Sequence, residues 1–313
     1  MTVRNAKHAT FTIERVYPAA PARVFAAWSN KEAKTAWAYC HPEWPVSDHV
    51  FDFREGGREH LVTGPAGGTR HVFDAVFHDI VPDQRIVYAY DMHLDARRIS
   101  VSLTTIEFFA VAGGTRLVFT EQGVFLDGYD DIAGREEGTR IGLDNLERQV
   151  GQQRAAQEYV MTERSTRHAT FTIERTFAAA PSHVFAAYAD VKSKARWFGG
   201  PEDWGKSNLK LDFKVGGRES ESGGPPGGPV HYYNAIYQDI VPNERIVLTY
   251  EMHLDKTRIS VSLGTTEFKP AGAGTRLAYT EQAVFLDGHD DAGGREQGFG
   301  GLFDQLARFL EMQ

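Results

Sequence analysis

The chain has 313 residues, with 34 Lys and Arg against 42 Asp and Glu, a formal net charge of −8, 42% hydrophobic and 12% aromatic residues, and one cysteine, Cys40. This is an ordinary globular composition, long enough for two domains that each bury an apolar core. A single cysteine excludes an internal disulfide or thiolate metal cage, and no apolar run approaches the ~18 residues of a membrane span; the acidic balance with scattered basic residues excludes a phosphate-backbone partner.

A reducing, cytoplasmic setting is therefore expected, with no membrane and no nucleic acid among the partners. The start of the chain, through Tyr17, lacks the apolar core of a signal peptide. Ala9 to Tyr17 places Phe11 and Ile13 at period two, the pattern of a half-buried strand. Pro21 then opens a helix at its favoured first-turn position, with Val24 to Trp28 supplying the buried side. A second short helical stretch ends near Trp37. Strand-like segments follow: Val50 to Phe53, a Gly56-Gly57 turn, and a hairpin capped by Gly64-Pro65-Ala66-Gly67-Gly68. Three longer runs, His71 to Ile80, Arg85 to His93 and Arg98 to Phe108, form a meander with Thr115 to Glu121. From Gly134 onward the spacing of Leu143, Leu146 and Val150 predicts a long closing helix. The class is α+β.

The whole pattern then repeats. His8 to Arg15 returns unchanged as His168 to Arg175, and the same offset of 160 carries Trp37 onto Trp197, Gly56-Gly57-Arg58-Glu59 onto Gly216 to Glu219, and Thr120-Glu121-Gln122 onto Thr280 to Gln282. A period this long is a domain duplication, since solenoid repeats run about 20–50 residues. Copy one is expected over 1–150, a helical connector over 151–163 and copy two over 164–313, the two packing as a pseudo-dimer.

Several motifs in joint order carry a resemblance. They are Pro21 before Val24-Phe25-Ala26-Ala27, Trp197-Phe198-Gly199-Gly200-Pro201, Asp212 to Arg218, Ile240 to Ile246, Gly274 to Leu277 and the leucine-spaced last helix. Each copy resembles the SRPBCC, or START-like, superfamily, in the branch similar to the C-terminal domain of heat-shock-protein ATPase activators. The resemblance implies two tandem helix-grip domains, each with a curved antiparallel sheet around a long C-terminal helix and a deep cavity between them. It also implies a range of functions: lipid carriers, polyketide cyclases and aromatases, other small-molecule enzymes and co-chaperones. Copy one departs from the pattern at Trp37-Ala38-Tyr39-Cys40-His41-Pro42, where the glycines are missing.

The candidate chemistry follows from periodicity. Gly134, Gly138 and Gly142, and in copy two Gly294, Gly298 and Gly301, each share a helix face. Helical glycine costs about 1 kcal/mol against alanine, so three on one face leave room for a ligand, unless the helix packs close to the sheet or begins later. Strand alternation puts Glu121 beside Phe119, and Glu281 beside Tyr279. It puts Tyr90 beside Met92, and Tyr250 beside Met252. Among such walls Glu121 and Glu281 are candidate general acids or bases, with Tyr90 and Tyr250 as hydrogen-bond donors. The alternative is a glutamate paired with Arg98 or Arg116, or exposed at a strand end. His71 and His231 share the cavity parity and complete the set of catalytic candidates, whereas His93 and His253 reach inward only through a bulge. Trp37, Trp197, Phe119, Tyr279, Met92, Met252, Gly138 and Gly298 are the candidate ligand-binding residues. The spacing of histidines and carboxylates matches no metal motif, and Asp127 to Asp131 and Asp287 to Asp291 read as helix capping. Cys40 beside His41 reads as structural. No metal or cofactor is expected. The expected function is binding of a small apolar or aromatic molecule, extended to cofactor-independent acid/base catalysis of cyclase, lyase or hydrolase type. The alternatives are a chaperone accessory protein or a passive carrier.

Overall fold

The first strand, β1 (Ala6–Tyr17), leads into two helices, α1 (Pro21–Ser29) and α2 (Lys31–Trp37), in a computed structural model that describes residues 4–38, 43–129, 131–151, 164–201, 204 and 207–312. Six strands follow, β2 (Val46–Phe51), β3 (Arg58–Thr63), β4 (His71–Val81), β5 (Arg85–Leu94), β6 (Arg97–Val111) and β7 (Gly114–Leu126), and then α3 (Ile132–Val150). All pair antiparallel in the order β1-β7-β6-β5-β4-β3-β2, so the first strand closes one edge beside the last. Copy two repeats this with β8 (Thr166–Phe177), α4 (Pro181–Ala189), α5 (Val191–Lys194), β9 (Lys210–Leu211), β10 (Arg218–Gly223), β11 (His231–Val241), β12 (Arg245–Leu254), β13 (Thr257–Ala271), β14 (Gly274–Leu286) and α6 (Ala292–Glu311). The chain divides into two compact units, residues 1–164 and 165–313. The expected connector lies outside the described residues apart from Gly151, and so do Cys40 and His41.

Local chemistry accounts for the helices. Pro21 and Pro181 begin α1 and α4 without any side-chain cap, because their missing N–H is one that a first turn leaves unpaired anyway. Asn30 caps α2 by accepting from the Ala33 N–H at 2.8 Å, and Asp190 caps α5 by accepting from Ser193 at 2.8 Å. The α5 helix is the shorter of the two because Val191 and Ser193 stand where copy one has Lys31 and Ala33, both better helix formers. Asp131 and Asp291 cap the closing helices through the N–H of Gly134 and Gly294, each at 2.9 Å. The closing helix thus begins at Ile132, two residues before the glycine pattern starts, which places all three glycines of copy one inside it.

One face of each sheet holds the core. In copy one, Phe11, Ile13, Phe77, Ile106 and Phe119 from the sheet meet Val24 and Trp28 of α1 and Leu143, Leu146 and Val150 of α3. In copy two, Ile173, Tyr237, Phe268 and Tyr279 meet Val184, Phe303, Leu306 and Phe309. Each such side chain, fully buried, contributes about 1.5–3 kcal/mol. The C-terminal half of each closing helix is therefore fixed against sheet and α1 or α4, while its glycine-bearing N-terminal half stands off. Among the described residues no helix is long and apolar enough to cross a membrane.

Candidate functional site

The stand-off leaves a cavity of about 560 Å³ in copy one and about 600 Å³ in copy two. Gly134, Gly138 and Gly142 line the first, and Gly294, Gly298 and Gly301 the second. A Cβ on Gly298 or Gly301 would meet nothing within 4 Å, and one on Gly142 would come no closer than 3.8 Å to Ala38 O. The glycine face thus opens onto space.

Across from these glycines, copy one assembles a buried polar network from three strands and the helix. Glu121 on β7, only 2% exposed, accepts at Oε1 from the Tyr90 hydroxyl of β5 at 2.7 Å and the Ser102 hydroxyl of β6 at 2.9 Å. It also accepts from Arg135 Nη1 of α3 at 3.1 Å. Register explains the meeting: Tyr90 lies opposite Ser102 and Thr104 opposite Glu121, all on the cavity face. The same Arg135 donates from Nη1 to the Tyr90 oxygen at 2.7 Å and from Nη2 to Ser100 Oγ at 2.9 Å. Burial opposes the Arg135 charge, but the Tyr90 and Glu121 groups outweigh it and hold the guanidinium pKa up. Burial pushes Tyr90 up as well, with Arg135 pulling the other way, so its phenol remains a neutral donor. The ion pair that sequence left between Arg98 and Arg116 is made by neither: Arg98 pairs with Asp91 and Arg116 with Glu14.

Copy two keeps the plan and changes its lid. Glu281 accepts at Oε1 from Ser262 at 2.9 Å and Arg295 Nη1 at 3.1 Å; Arg295 also donates to Tyr250 at 2.9 Å and Ser260 at 2.7 Å, and pairs with Asp290. Its Oε2, however, accepts from Tyr279 at 2.8 Å, and Phe299 stacks on Tyr279 with ring centroids 4.4 Å apart. Phe299 lines the cavity, and Tyr279 and Glu281 lie behind it.

A second charged pair sits between α2 and β3. Lys34 pairs with Glu59, which also takes His49 Nε2 at 3.3 Å; burial alone would raise the Glu59 pKa, and Lys34 and His49 together bring it below the usual range. Lys34 Nζ lies 5.4–5.9 Å from the rings of Trp28, Phe51, Phe73, Phe77 and Tyr88, so its charge faces aromatic surfaces. In copy two Lys194 pairs with Glu219 at 2.6 Å, Tyr237 donates to the same carboxylate, and burial lowers the Lys194 pKa against the pull of Glu219.

The structure places the sequence candidates as follows. Tyr90 and Glu121 are in direct contact, and Tyr250 reaches Glu281 through Arg295. His71 and His231 line their cavities against Trp44 and Trp204, with ring centroids 4.8 and 5.0 Å apart; burial lowers the His231 pKa. Met92, Met252, Phe119 and Trp37 line cavities, while Trp197 is buried in the core, its indole N–H donating to Ala187 O at 3.0 Å. His93 faces away despite a register shift beside it, 3.4 Å from Asp91, and burial lowers its pKa. The candidate metal ligands among the described residues are Asp74, Asp91 and His93, whose ligand atoms lie within 4.8 Å of one another on the face opposite the cavity. Arg98 already neutralises Asp91 there.

Sequence reasoning missed Arg135 and Arg295, Lys34 and Lys194, and the serines of β6 and β13. The arginines had a signal: each sits in the first turns of a helix, where the macrodipole disfavours a cation, so a compensating carboxylate was implied. Lys34 shares a helix face with Trp37, three residues on, which equally marked it as inward.

The family model for the activator of Hsp90 ATPase homolog 1-like protein matches twice, over residues 18–151 and 178–311. Among solved structures, an uncharacterized protein from Rhizobium leguminosarum is 54% identical over 48% of this chain and 98% of its own, with a TM-score of 0.46. The Mll3558 protein from Rhizobium loti is 46% identical over 46% of this chain and 99% of its own, with a TM-score of 0.43. The di-domain ARO/CYC StfQ from the steffimycin biosynthetic pathway is 14% identical over 96% of this chain and 98% of its own, with a TM-score of 0.38. No curated protein matches the chain.

Proposed function

The chain belongs to the activator of Hsp90 ATPase homolog 1-like family, as two START-like helix-grip domains in tandem, and from that premise we propose that each copy takes up a small apolar or aromatic molecule between its sheet and its closing helix. One observation carries this reading: in both copies the glycine-bearing half of the closing helix stands away from the sheet and leaves a cavity of about 560–600 Å³. That volume is in the range of small-molecule sites, and a mostly apolar wall with a few convergent polar groups is their usual chemistry. The aromatic wall, Tyr88 and Tyr90 beside Phe73 in copy one, suits a flat ligand.

Binding is the reading the polar network supports best. An arginine buried against each carboxylate fixes it as a hydrogen-bond acceptor, which orients a guest. Acid/base turnover by Glu121 or Glu281 asks more, because a carboxylate pinned this way must share its pin to move a proton. A cytoplasmic setting fits a chain with one cysteine. The second reading, a chaperone accessory acting through its surface, is favoured by family membership alone.

The test is native mass spectrometry of the protein purified from its host, then a thermal-shift screen of aromatic polyketides, phenolics and fatty acids on the wild type and on Gly138→Leu and Gly298→Leu. A co-purifying molecule, or a shift that the leucine abolishes in the filled copy, is expected. No ligand and no shift across that panel would sink the cavity reading in favour of the surface one.

A further inference from the structure

We infer that the two cavities are specialised differently: copy one selects an uncharged aromatic molecule bearing a ring hydroxyl, held by the Oε2 oxygen of Glu121, and copy two does not. This rests on the cavity reading above and goes beyond it by naming the ligand's chemistry, the copy and the selecting atom.

All three hydrogen bonds that Glu121 receives, from Tyr90, Ser102 and Arg135, end on Oε1, and among the described residues none reaches Oε2. Glu121 is 98% buried and lines the cavity, so this oxygen is an acceptor on an aromatic wall with no protein donor. A guest that supplies a donor there gains a charge-assisted hydrogen bond that the protein does not make. In copy two the equivalent oxygen is already satisfied by the Tyr279 hydroxyl at 2.8 Å.

The difference was built by matched substitutions. Tyr279 stands where copy one has Phe119, and it fits because Gly264 stands where copy one has Thr104. A Cβ on Gly264 would lie 3.1 Å from the Tyr279 oxygen and 3.2 Å from its ring, so Thr104 would crowd a tyrosine in that pose in copy one. Phe299, which stacks on Tyr279 and screens it from the cavity, stands where copy one has Thr139. Phe119 meanwhile turns to Phe11 and Trp28, at 6.2 and 6.5 Å, and leaves the carboxylate uncovered.

Charge and shape set the class of guest. Glu121 is neutralised by Arg135, and Glu59, further along the same wall, by Lys34. At Glu121 itself a cation would therefore meet a carboxylate already paired, while a neutral donor meets a strong acceptor; the remaining carboxylate of the lining, Asp131, is engaged in capping α3 through the Gly134 N–H. Trp28, Phe73, Tyr88 and Tyr90 around this space favour a planar ring.

The test uses the full chain and three probes of one shape: naphthalene, 2-methoxynaphthalene and 2-naphthol, by isothermal titration. One site per chain is expected to bind 2-naphthol at least about tenfold more tightly than 2-methoxynaphthalene, since the acceptor is charged. The preference should survive Gly298→Leu, which fills copy two. It should fall to near unity in the double variant Thr104→Gly/Phe119→Tyr, which imports the copy-two cap. Glu121→Gln is a weaker probe because it strips Arg135 of its partner and endangers folding; the double variant leaves that ion pair intact. Equal binding of the hydroxyl and methoxy probes, or a preference that persists in the double variant or disappears in Gly298→Leu, would overturn the inference while leaving the cavity reading in place. Failure of all three probes to bind would overturn the inference, and the cavity reading with it only where the wider panel of polyketides, phenolics and fatty acids fails too.

Discussion

Glu121 and Glu281 occupy the same point of the same sheet, each against an arginine from the closing helix and a serine from the neighbouring strand. Around them the copies part company. Copy one leaves its carboxylate facing the cavity, and copy two seals it under Tyr279 and Phe299. A similar divergence occurs at the second pair, where Glu59 is shared by Lys34 and His49, whereas Glu219 is shared by Lys194 and Tyr237 and its Oε1 has no partner among the described residues. The lesson is that the ion pairs belong to the scaffold and the residues around them to specificity. Losing a buried charge partner penalises folding in either copy, while exchanging a phenylalanine for a tyrosine beside it changes only what the cavity presents.

That division can be broken most directly at the arginines. Arg295 compensates Glu281 and Asp290, so Arg295→Leu strands two carboxylates; Arg135→Leu strands Glu121. Each should destabilise its copy by about 3–5 kcal/mol, with Arg295→Leu the larger, because a lone buried charge keeps its desolvation penalty without its compensation. Urea unfolding measures this, and a loss below about 1 kcal/mol in either variant would remove the scaffold role. The double variant that makes copy one resemble copy two should by contrast shift stability little.

Acidification sharpens the comparison from another side. Burial lowers the pKa of His168 to about 4, and its Nε2 has no partner among the described residues. A folded-state value below the unfolded one means that the unfolded chain binds the proton more readily. The neutral ring thus stabilises copy two fully above about pH 6.5, and that contribution is lost as the pH falls toward 4. A depression of this size corresponds to up to about 3 kcal/mol. Stability of the wild type minus that of His168→Gln, followed from pH 7 to 4, should fall accordingly; a difference that stays flat across the window would show that the ring is solvated.

Much of this architecture could be read from the chain because periodicity reports burial. The strand from Arg85, the meander that follows and the leucine spacing of the closing helix each mark which side faces inward, and the exact octapeptide repeat marks the duplication. The glycine face was legible as space for the same reason. The partners of Glu121 were less so, because strand alternation says which face a carboxylate takes and nothing about which helix residue crosses to meet it. Arg98 and Arg116 were the arginines nearest along the sheet, yet both serve carboxylates outside the cavity. The cap in copy two was hidden for a further reason: Tyr279 and Glu281 are two residues apart on one strand, and whether their tips meet depends on Gly264 of the neighbouring strand.

The smallest effect tests the anchoring of the closing helix. Tyr17 on β1 donates its hydroxyl to the Leu143 carbonyl of α3 at 2.9 Å, whereas copy two has Phe177 at the matching position. Burial holds the Tyr17 pKa well up, against an opposing pull from Arg15, so the hydroxyl stays a neutral donor across the working pH range. Leu143 lies mid-helix, where its carbonyl also accepts from the backbone one turn on, so removing the tyrosine bond leaves no orphaned acceptor. Tyr17→Phe should therefore cost only about 1 kcal/mol in urea unfolding of copy one, well short of the cost of a stranded group. The reciprocal Phe177→Tyr should recover a comparable amount if its hydroxyl meets the Phe303 carbonyl. A Tyr17→Phe cost near zero would mean that the apolar contacts of Leu143, Leu146 and Val150 and the Arg135 network hold the helix without this bond, as Phe303, Leu306 and Phe309 and the Arg295 network do in copy two. A cost above about 2 kcal/mol would mean that copy one depends on this strand-to-helix tie in a way its sibling does not.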